Sequence, residues 1–283
     1  ADLIYCEGMN LFMITTNANS NQNGTIGNSQ FLTFSNSSVG TTTRKYVVTY
    51  SGNRVLDTEY WRQNATVDEF FCLVTNGSGV HVKGPFTLYS NGNVQTTTGG
   101  SSTVDTNDAN NGRFAWNSDH TKLCVAWVDA SSGKGYVKGG TWNGTAFSWG
   151  SATQINWPNA LQGNDWGGGV DITCERSSGK YVICYQYNNQ SKARVVDTGT
   201  NGLNATLGTE ITVDTGNPDG KQRIVDNFDA ADTVTWAGRY THNLGCANLV
   251  ISGTSLTNNG VAQAYNYQPG DYCNIGLNAE QHK

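Results

Sequence analysis

Charged residues, proline and methionine are all scarce in this 283-residue chain. Asp, Glu, Lys and Arg make up 14% of it, against about 25% in a typical globular protein. There are only four prolines and two methionines. Because Glu, Lys and Arg are the strongest formers of exposed helices, their scarcity disfavours a helical fold. The longest apolar runs are strand-sized, as in Phe70–Val74, so no membrane insertion is expected.

The chain also lacks any basic run or stripe. Its net charge is −5 and its pI is about 5.3. A protein that binds a phosphate backbone carries a patch of positive charge. This chain shows no such patch in its sequence, so nucleic acid is not an expected partner. No G-x-S-x-G motif or phosphate-binding loop occurs, and Gly167–Gly169 is interpreted as a close turn into the next strand. No cofactor is therefore expected.

Small polar residues and aromatic residues take the place of the missing charges. The chain has 34 glycines and is rich in Asn, Ser and Thr, while 11% of it is Phe, Trp or Tyr. Short strands joined by tight turns need this composition, and the aromatic residues can fill a large core. An all-β fold follows as the prediction.

A unit of four short strands repeats along the chain, and its clearest copy begins at Val170. It reads VDITCER, a Ser177–Gly179 turn, then KYVICYQYN, KARVVDT and TLGTEITV. Each piece is β-branched or aromatic and is bounded by Gly, Asn, Ser or Asp, which is typical of strands. A second copy starts at Arg113, where Lys122 falls in the place of Lys180. Further copies start near residues 45 and 222.

Five units of about 57 residues account for the whole chain if its two ends share one unit. The C-terminal CNIGLNAEQHK supplies one strand of that unit, and the N-terminal DLIYCEGMN, LFMITTNAN and NSQFLTF supply three. A closed ring needs such a shared unit, whereas a linear array does not. We therefore expect one all-β domain, a five-bladed β-propeller of four-stranded antiparallel blades, with a Greek-key sandwich array as the alternative. The expected blades are 272–283 plus 1–44, 45–112, 113–169, 170–221 and 222–271.

The segment Gly169–Gln186 resembles repeat units of bacteriophage tail, fibre and adhesion-type proteins. In these units a D-x-x-S-G-K turn precedes an apolar strand, and a G-T-x-I-x-F/V strand closes the unit, as Gly208–Val213 does here. The resemblance is best over 169–213 and implies a structural or adhesive role. By architecture the chain also looks like five-bladed lectins and five-bladed glycosidases, although no motif of either is matched.

Carboxylates on inner strands would supply the acid, base or nucleophile of a propeller glycosidase. Asp171 and Asp226 occupy related first-strand positions, and Asp57 and Glu59 lie on a second strand. Equivalent positions of the other units carry Val, Ala or Asn, which favours a structural role in turns and backbone hydrogen bonds. No catalytic residue is assigned. The four histidines have no metal-ligand spacing, so no metal is expected.

Two tryptophans in the connection WPNALQGNDWGGG are the best candidates for a ligand patch. Trp157 and Trp166 lie there beside Asn164 and Asp165. Aromatic rings stack on sugar faces and neighbouring amides or carboxylates bind the hydroxyls. The alternative is that both rings fold over a blade edge. Four other tryptophans lie in predicted strands and are expected in the core: Trp61, Trp116, Trp127 and Trp236.

Seven cysteines leave at least one outside any intrachain disulfide. Two pairings are predicted from strand positions. Cys174 and Cys184 flank the Ser177–Gly179 turn almost symmetrically, and Cys6 and Cys273 lie on the strands expected to meet at the ring closure. Three cysteines are interpreted as small buried hydrophobic residues: Cys72, Cys124 and Cys246.

These features predict a non-enzymatic structural or adhesion module of a virion or extracellular assembly. Its expected partners are glycans or a host surface, other assembly proteins, and further copies of itself. A dedicated lectin is the first alternative and would show sugar pockets repeated between blades. A five-bladed glycoside hydrolase is the second and would depend on Asp171 or Asp226.

Overall fold

The regular structure of this protein, seen in a computed structural model, consists of β-strands. The model describes residues 2–6, 11–17, 29–35, 43–45, 54–63, 67–89, 94–96, 100–155, 170–215, 218–240 and 243–266. Their strands form five separate antiparallel sheets, each built from one continuous stretch of chain. The first strands of successive sheets begin 48 to 61 residues apart. None of these residues belongs to a helix that could cross a membrane.

Two compact units divide the chain, and the first comprises Ala1–Asp108 with Gly144–Ala146. It contains two sheets. Strands of the first sheet pair in the order β1-β2-β3-β4, and those of the second in the order β5-β6-β7-β8, with β9 also on β7. The bounds are β1 Asp2–Cys6, β2 Leu11–Asn17, β3 Ser29–Ser35, β4 Thr43–Lys45, β5 Arg54–Gln63, β6 Val67–Thr75, β7 Val80–Tyr89, β8 Val94–Thr96 and β9 Ser101–Asp105.

The second unit comprises Ala109–Asn143 and Phe147–Lys283 and contains three sheets. The third sheet begins with β10 Ala109–Trp116, β11 Lys122–Asp129, β12 Gly135–Trp142, β13 Phe147–Trp149 and β14 Thr153–Gln154. The fourth contains β15 Val170–Glu175, β16 Lys180–Tyr187, β17 Gln190–Asp197, β18 Thr206–Leu207 and β19 Ile211–Asp214. The fifth contains β20 Pro218–Asp226, β21 Thr233–Tyr240, β22 Asn243–Ser252 and β23 Ser255–Asn266. Each is a meander in chain order, with β14 and β19 also pairing with the third strands.

The fourth sheet is buried on both faces, because alternate residues of β16 pack in opposite directions. Tyr181, Ile183 and Tyr185 join a core with the third sheet. Val182 and Cys184 join a second core with the fifth sheet. A strand covered on both sides has no solvent face, so KYVICYQY does not alternate between apolar and polar residues. The three sheets of the second unit therefore pack face to face.

Glycines allow the outer parts of these sheets to come into backbone contact. A Cβ on Gly150 would lie 1.6 Å from the carbonyl oxygen of Leu203, in the turn after β17. A Cβ on Gly208 would lie 1.8 Å from the carbonyl oxygen of Thr254, in the turn after β22. Both glycines stand where the outer strand of a sheet breaks into two pieces. The same contact is thus made twice, once between the third and fourth sheets and once between the fourth and fifth.

An arginine strengthens the outer contact between the third and fourth sheets. The Nε of Arg194 donates to the carbonyl oxygen of Gly208 at 2.8 Å, and its Nη1 donates to that of Ile155 at 2.8 Å. One side chain thereby joins the break in the outer strand of the fourth sheet to the residue that follows β14 of the third. Charged donors make stronger hydrogen bonds than neutral ones, so this contact helps to fix the spacing of the two sheets.

The strands of the second unit follow the repeat predicted from Val170, and those of the first unit depart from it. Units expected at 113, 170 and 222 match the third, fourth and fifth sheets. Near residue 45, however, β4 is the last strand of the first sheet and not the first strand of the second. The N-terminal stretch thus supplies four strands where three were expected. β5, β6 and β7 are the first, second and third strands of their sheet, where the second, third and fourth places were expected. The turn residues in this stretch do not identify one position of the repeat, so the sequence does not show which strand is the first of a sheet. The expected closing strand 273–283 lies outside the described residues.

Replacing Gly208 by alanine should destabilise the second unit. The new methyl group would meet backbone of the fifth sheet at a distance that no rotamer change can relieve. We expect a loss of about 2–4 kcal/mol in the free energy of unfolding, as for other overpacked core contacts. Chemical denaturation followed by circular dichroism measures it.

Gly100→Ala is the matched control, since Gly100 also lies beside an outer strand but has open space around its Cβ position. Its free energy of unfolding should change by less than about 0.5 kcal/mol. Equal losses in the two variants would contradict the backbone contact at Gly208.

Candidate functional site

Three charged residues occupy one register position on the first strands of the three sheets of the second unit. Arg113 on β10 lies opposite Ala126, Asp171 on β15 opposite Cys184, and Arg223 on β20 opposite Ala237. In each case the partner is the fifth residue of the second strand. We call Arg113, Asp171 and Arg223 the first-strand row. Its charges alternate in sign from sheet to sheet.

Asp171 holds this row together. Its Oδ1 lies 3.7 Å from Nε of Arg113, and its Oδ2 accepts a 2.9 Å hydrogen bond from the backbone N–H of Ile224 on β20. One carboxylate thereby contacts both neighbouring sheets. Burial raises the pKa of Asp171, and the positive charges of Arg223 and Arg113 oppose this increase. The side chain is 9% exposed, so little of the carboxylate is open to a ligand.

Two more carboxylates stand at the other ends of β15 and β20. Asp226 is buried, and its Oδ2 lies 3.5 Å from Nε of Arg176. The Arg176 guanidinium in turn lies 3.6 Å above the centre of the Phe228 ring. Burial and the nearby charge of Glu175 raise the pKa of Asp226 to about 6, although Arg176 acts in the opposite direction. Its Oδ1 is buried and receives no hydrogen bond from the described residues.

Glu175 is used to shape the turn that follows it. Its two carboxylate oxygens accept hydrogen bonds from the backbone N–H and the hydroxyl of both Ser177 and Ser178, at 2.5 to 2.9 Å. Burial alone would raise its pKa, but these hydrogen bonds outweigh burial and hold the pKa below its usual value. Oε1 also accepts the N–H of Asp232, at 3.3 Å, from the corresponding turn of the fifth sheet. Glu175 is therefore an ionised turn cap.

Together these groups offer one carboxylate that stays ionised and one that can take a proton near neutral pH. Such divergent pKa values are typical of acid and base pairs in hydrolases. In this chain, however, Asp171 makes a hydrogen bond to neighbouring backbone, as the sequence interpretation expected, and Glu175, which the sequence did not single out, does the same. Of these three carboxylates, Asp226 is the one that keeps a buried oxygen without a hydrogen bond from the described residues.

The ligand patch expected from the sequence cannot be placed. Trp157, Asn164, Asp165 and Trp166 all lie outside the described residues. The tryptophans expected in the core behave as predicted at three positions, since Trp116, Trp127 and Trp236 are buried. Trp61 is half-buried.

The predicted disulfide between Cys174 and Cys184 is wrong. Cys174 lies opposite Tyr181 and Cys184 opposite Asp171, so the two cysteines are three positions out of register. They point to opposite faces of the sheet, and both are free and buried. Burial raises the pKa of the Cys174 thiol to about 12, which keeps it protonated and unreactive.

The remaining cysteine predictions have mixed outcomes. Cys72 and Cys124 are buried as expected, whereas Cys246 is exposed because its side of β22 faces solvent. Cys6 ends β1, but its side chain is not described, and Cys273 lies outside the described residues. The Cys6–Cys273 bond stays a prediction.

Arg113, Arg176 and Arg223 were not singled out from the sequence, although they contact or influence the two aspartates. Aligning the repeats would have placed Arg113 and Arg223 beside Asp171, because each of the three stands 13 or 14 residues before the second-strand residue opposite it. Alternating charge at one position of the repeat is the sequence signal for these arginines, and a comparison of carboxylates alone does not reveal it.

No protein-family model and no curated protein matches the chain. Among solved structures, it is similar to a chain of the nidogen/laminin complex, with a TM-score of 0.45, 11% identity, and coverage of 90% of this chain and 89% of that one. Sucrose-6-phosphate hydrolase from Lactobacillus gasseri gives a TM-score of 0.45 and 7% identity over 91% and 60%. A prolyl endopeptidase gives 0.42 and 14% over 90% and 33%. With TM-scores below 0.5, these likenesses carry no argument about this chain.

Breaking the first-strand row should cost stability. Arg113→Ala leaves a buried carboxylate without its ion-pair partner, and we expect a loss of about 3 kcal/mol in the free energy of unfolding. Denaturant titration at pH 7 measures the loss. In the control Asp197→Asn, which removes the charge opposite Lys180 at a more exposed site, the change should stay below about 1 kcal/mol. A loss that small in Arg113→Ala would show that the row is not stabilising.

The stability of the folded protein should increase on mild acidification because of Asp226. Its folded pKa of about 6 lies above the usual value of 3.8, so the folded state binds the proton more readily than the unfolded state. Stability is therefore gained as pH falls from about 7 towards 5, by at most about 1.4 kcal/mol per pH unit. Thermal melts across this range measure the gain.

Asp226→Asn should reduce the pH dependence of the stability between pH 7 and 5, because one titrating group is gone, while Asp171, whose pKa burial also raises, keeps its own contribution. Glu175 has a lowered pKa and stabilises the fold only above its unfolded pKa, so its contribution is lost at lower pH, outside this window. Identical pH profiles for the wild type and Asp226→Asn would contradict the assignment.

Proposed function

We propose that the chain is a single five-bladed β-propeller domain that works as a non-enzymatic structural and adhesion module of a virion or other extracellular assembly. Five consecutive meanders of similar length support the ring, with segment 272–283 adding to the first sheet at its closure. The face-to-face packing of the third, fourth and fifth sheets is the arrangement that successive blades require.

The contacts of Asp171 are the observation that supports a non-enzymatic role. A glycosidase would keep a carboxylate at this first-strand position open to substrate. Here the carboxylate contacts Arg113 on one neighbouring sheet and the Ile224 N–H on the other. Its charge joins three sheets into a rigid support, and rigid supports carry binding residues on their loops.

The loop patch Trp157, Asn164, Asp165 and Trp166 is the part of this module that we propose contacts glycans. It stands in the connection between the third and fourth sheets, which pack tightly on one another. The resemblance of Gly169–Gln186 to units of phage tail and adhesion proteins supports a place on a virion or cell-facing surface.

A glycoside hydrolase is the second candidate, and one observation favours it. Asp226 has a pKa of about 6 and a carboxylate oxygen without a hydrogen bond from the described residues, as a general acid would. Against this role, the neighbouring carboxylate Glu175 is occupied by its own turn.

Glycan binding without turnover is the outcome that this proposal predicts. The purified chain is screened on a glycan array, and any glycan that binds is then incubated with it and analysed for cleavage products. Trp157→Ala and Trp166→Ala should each weaken binding about five- to tenfold, since ring stacking contributes on the order of 1–1.5 kcal/mol.

Trp149→Ala is the control, because it removes a half-buried tryptophan from an outer strand and not from the patch. It should bind as the wild type does. Cleavage that disappears in Asp226→Asn would replace the proposal by the hydrolase, and binding that survives both patch variants would move the glycan site elsewhere.

A further inference from the structure

Two turns of the second unit lie against each other, one between β15 and β16 and the other between β20 and β21. The first begins at Glu175 and the second at Asp226. Oε1 of Glu175 accepts a hydrogen bond from the N–H of Asp232 at 3.3 Å, so the two turns are in direct contact. We call residues 175–180 and 226–233 the paired turns.

The side chain of Arg176 crosses from one of the paired turns to the other. Its Nε lies 3.5 Å from Oδ2 of Asp226, and its guanidinium carbon lies 3.6 Å from the centre of the Phe228 ring. The side chain is nevertheless 54% exposed, whereas that of Asp226 is 7% exposed. Ion pairs and cation–π contacts at exposed positions are weak. A competing cation can therefore displace Arg176 without loss of the fold.

Arg176 leaves part of the Asp226 carboxylate without a partner. Oδ1 is buried and receives no hydrogen bond from the described residues. Buried polar atoms of folded proteins are normally hydrogen-bonded, and an unpaired one is costly. Oδ1 is therefore an acceptor to which a further donor would bind.

Negative charge exceeds positive charge in the paired turns. Their sequences, ERSSGK and DNFDAADT, contain four acidic and two basic residues. One basic residue is directed elsewhere, because Nζ of Lys180 lies 3.8 Å from Oδ2 of Asp197 and donates to the carbonyl oxygen of Gly253. Burial and the charge of Glu175 together raise the pKa of Asp226, so a further positive charge beside this carboxylate would be stabilising.

We propose that Asp226 and Phe228 form a binding site for an arginine side chain of a partner protein, and that Arg176 fills this site in the free chain. An aromatic face attracts a guanidinium, and a carboxylate accepts hydrogen bonds from its N–H groups. An arginine that approaches end-on can pair with both carboxylate oxygens, whereas Arg176 reaches one of them with Nε alone.

The exposed residues around this site offer a partner chain further polar contacts: Ser177, Ser178, Asp229 and Asp232. A partner protein therefore fits the surroundings better than a free small cation does. The inference rests on the proposed function only in taking the partner to be another protein of the assembly, and it does not depend on glycan binding.

Removal of the internal competitor tests the site. Methylguanidinium and a capped Gly-Arg-Gly tripeptide are titrated at constant ionic strength into the full chain, and the backbone amides of residues 226–229 are followed by NMR. Arg176→Ala should bind each probe at least about tenfold more tightly than the wild type, because the site is then vacant. Arg176→Gln, which keeps a long side chain without charge, repeats the test if the alanine variant does not fold.

The affinity of Arg176→Ala for both probes should fall about tenfold from pH 7 to pH 5, because Asp226, with its pKa of about 6, takes up a proton. The other ionisable groups beside it keep their state across this range. Hydrogen bonds hold the pKa of Glu175 below its usual value, and burial raises that of the Cys174 thiol to about 12.

Two further variants serve as controls. Lys180→Ala removes the same charge from the same turn and should bind the probes as the wild type does. Adding Asp226→Asn to Arg176→Ala should abolish binding, with the fold checked by circular dichroism.

Equal affinity in the wild type and Arg176→Ala overturns the proposal, as does binding that survives Asp226→Asn. Equal strengthening in Lys180→Ala also overturns it, because the effect would then come from net charge alone. A tripeptide that binds more tightly than methylguanidinium supports a partner chain, whereas equal affinities would contradict it in favour of a free small cation. The glycan screen tests the proposed function separately, so failure of one does not imply failure of the other.

Discussion

Burial of the fourth sheet on both faces is the constraint on which the rest of the second unit depends. Once β16 packs against the third sheet on one side and the fifth on the other, no face of it can be polar. The sheets must then lie close together, which requires glycine at positions 150 and 208, where two backbones meet. Charged groups at these interfaces lose contact with water, so they must find partners in the neighbouring sheet.

The residues of the first-strand row meet this requirement because their charges alternate in sign from sheet to sheet. Asp171 is compensated from both sides, by Arg113 and by the Ile224 N–H, and so acts as a link between sheets. A buried ion pair gives less stability than its geometry suggests, because desolvation offsets much of the attraction. What it does provide is a fixed register of one sheet against the next.

Local chemistry was readable in the sequence wherever a short motif sets its own geometry. The pattern of an acidic residue followed by Ser-Ser-Gly-Lys occurs at Asp129–Lys134 and at Glu175–Lys180. Each time the carboxylate accepts hydrogen bonds from the two serines, and the glycine adopts a positive φ, of 67° at Gly133 and 66° at Gly179. Such turns, and the strands beside them, can be predicted because the hydrogen bonds that shape each turn lie within six residues.

Relations between strands were harder to predict. The disulfide prediction for Cys174 and Cys184 failed because an antiparallel register sends residues three positions apart to opposite faces, and symmetry about a turn does not reveal that register. The role of the strands near residue 45 was misjudged for a similar reason, since any apolar strand fits either place in a meander. Asp171 was recognised as structural, but its arginine partners were not, because they lie 58 and 52 residues away along the chain.

The sequence by itself determined the all-β class, the period of the repeat and the turns that separate its strands. These follow from residue preferences and hydrogen bonds over short distances along the chain. Only the tertiary structure decided which strand is first in a sheet, which cysteines face one another and which charges meet. Each of these depends on the packing of one sheet against another, where a shift of one residue reverses every side chain while leaving the local pattern unchanged.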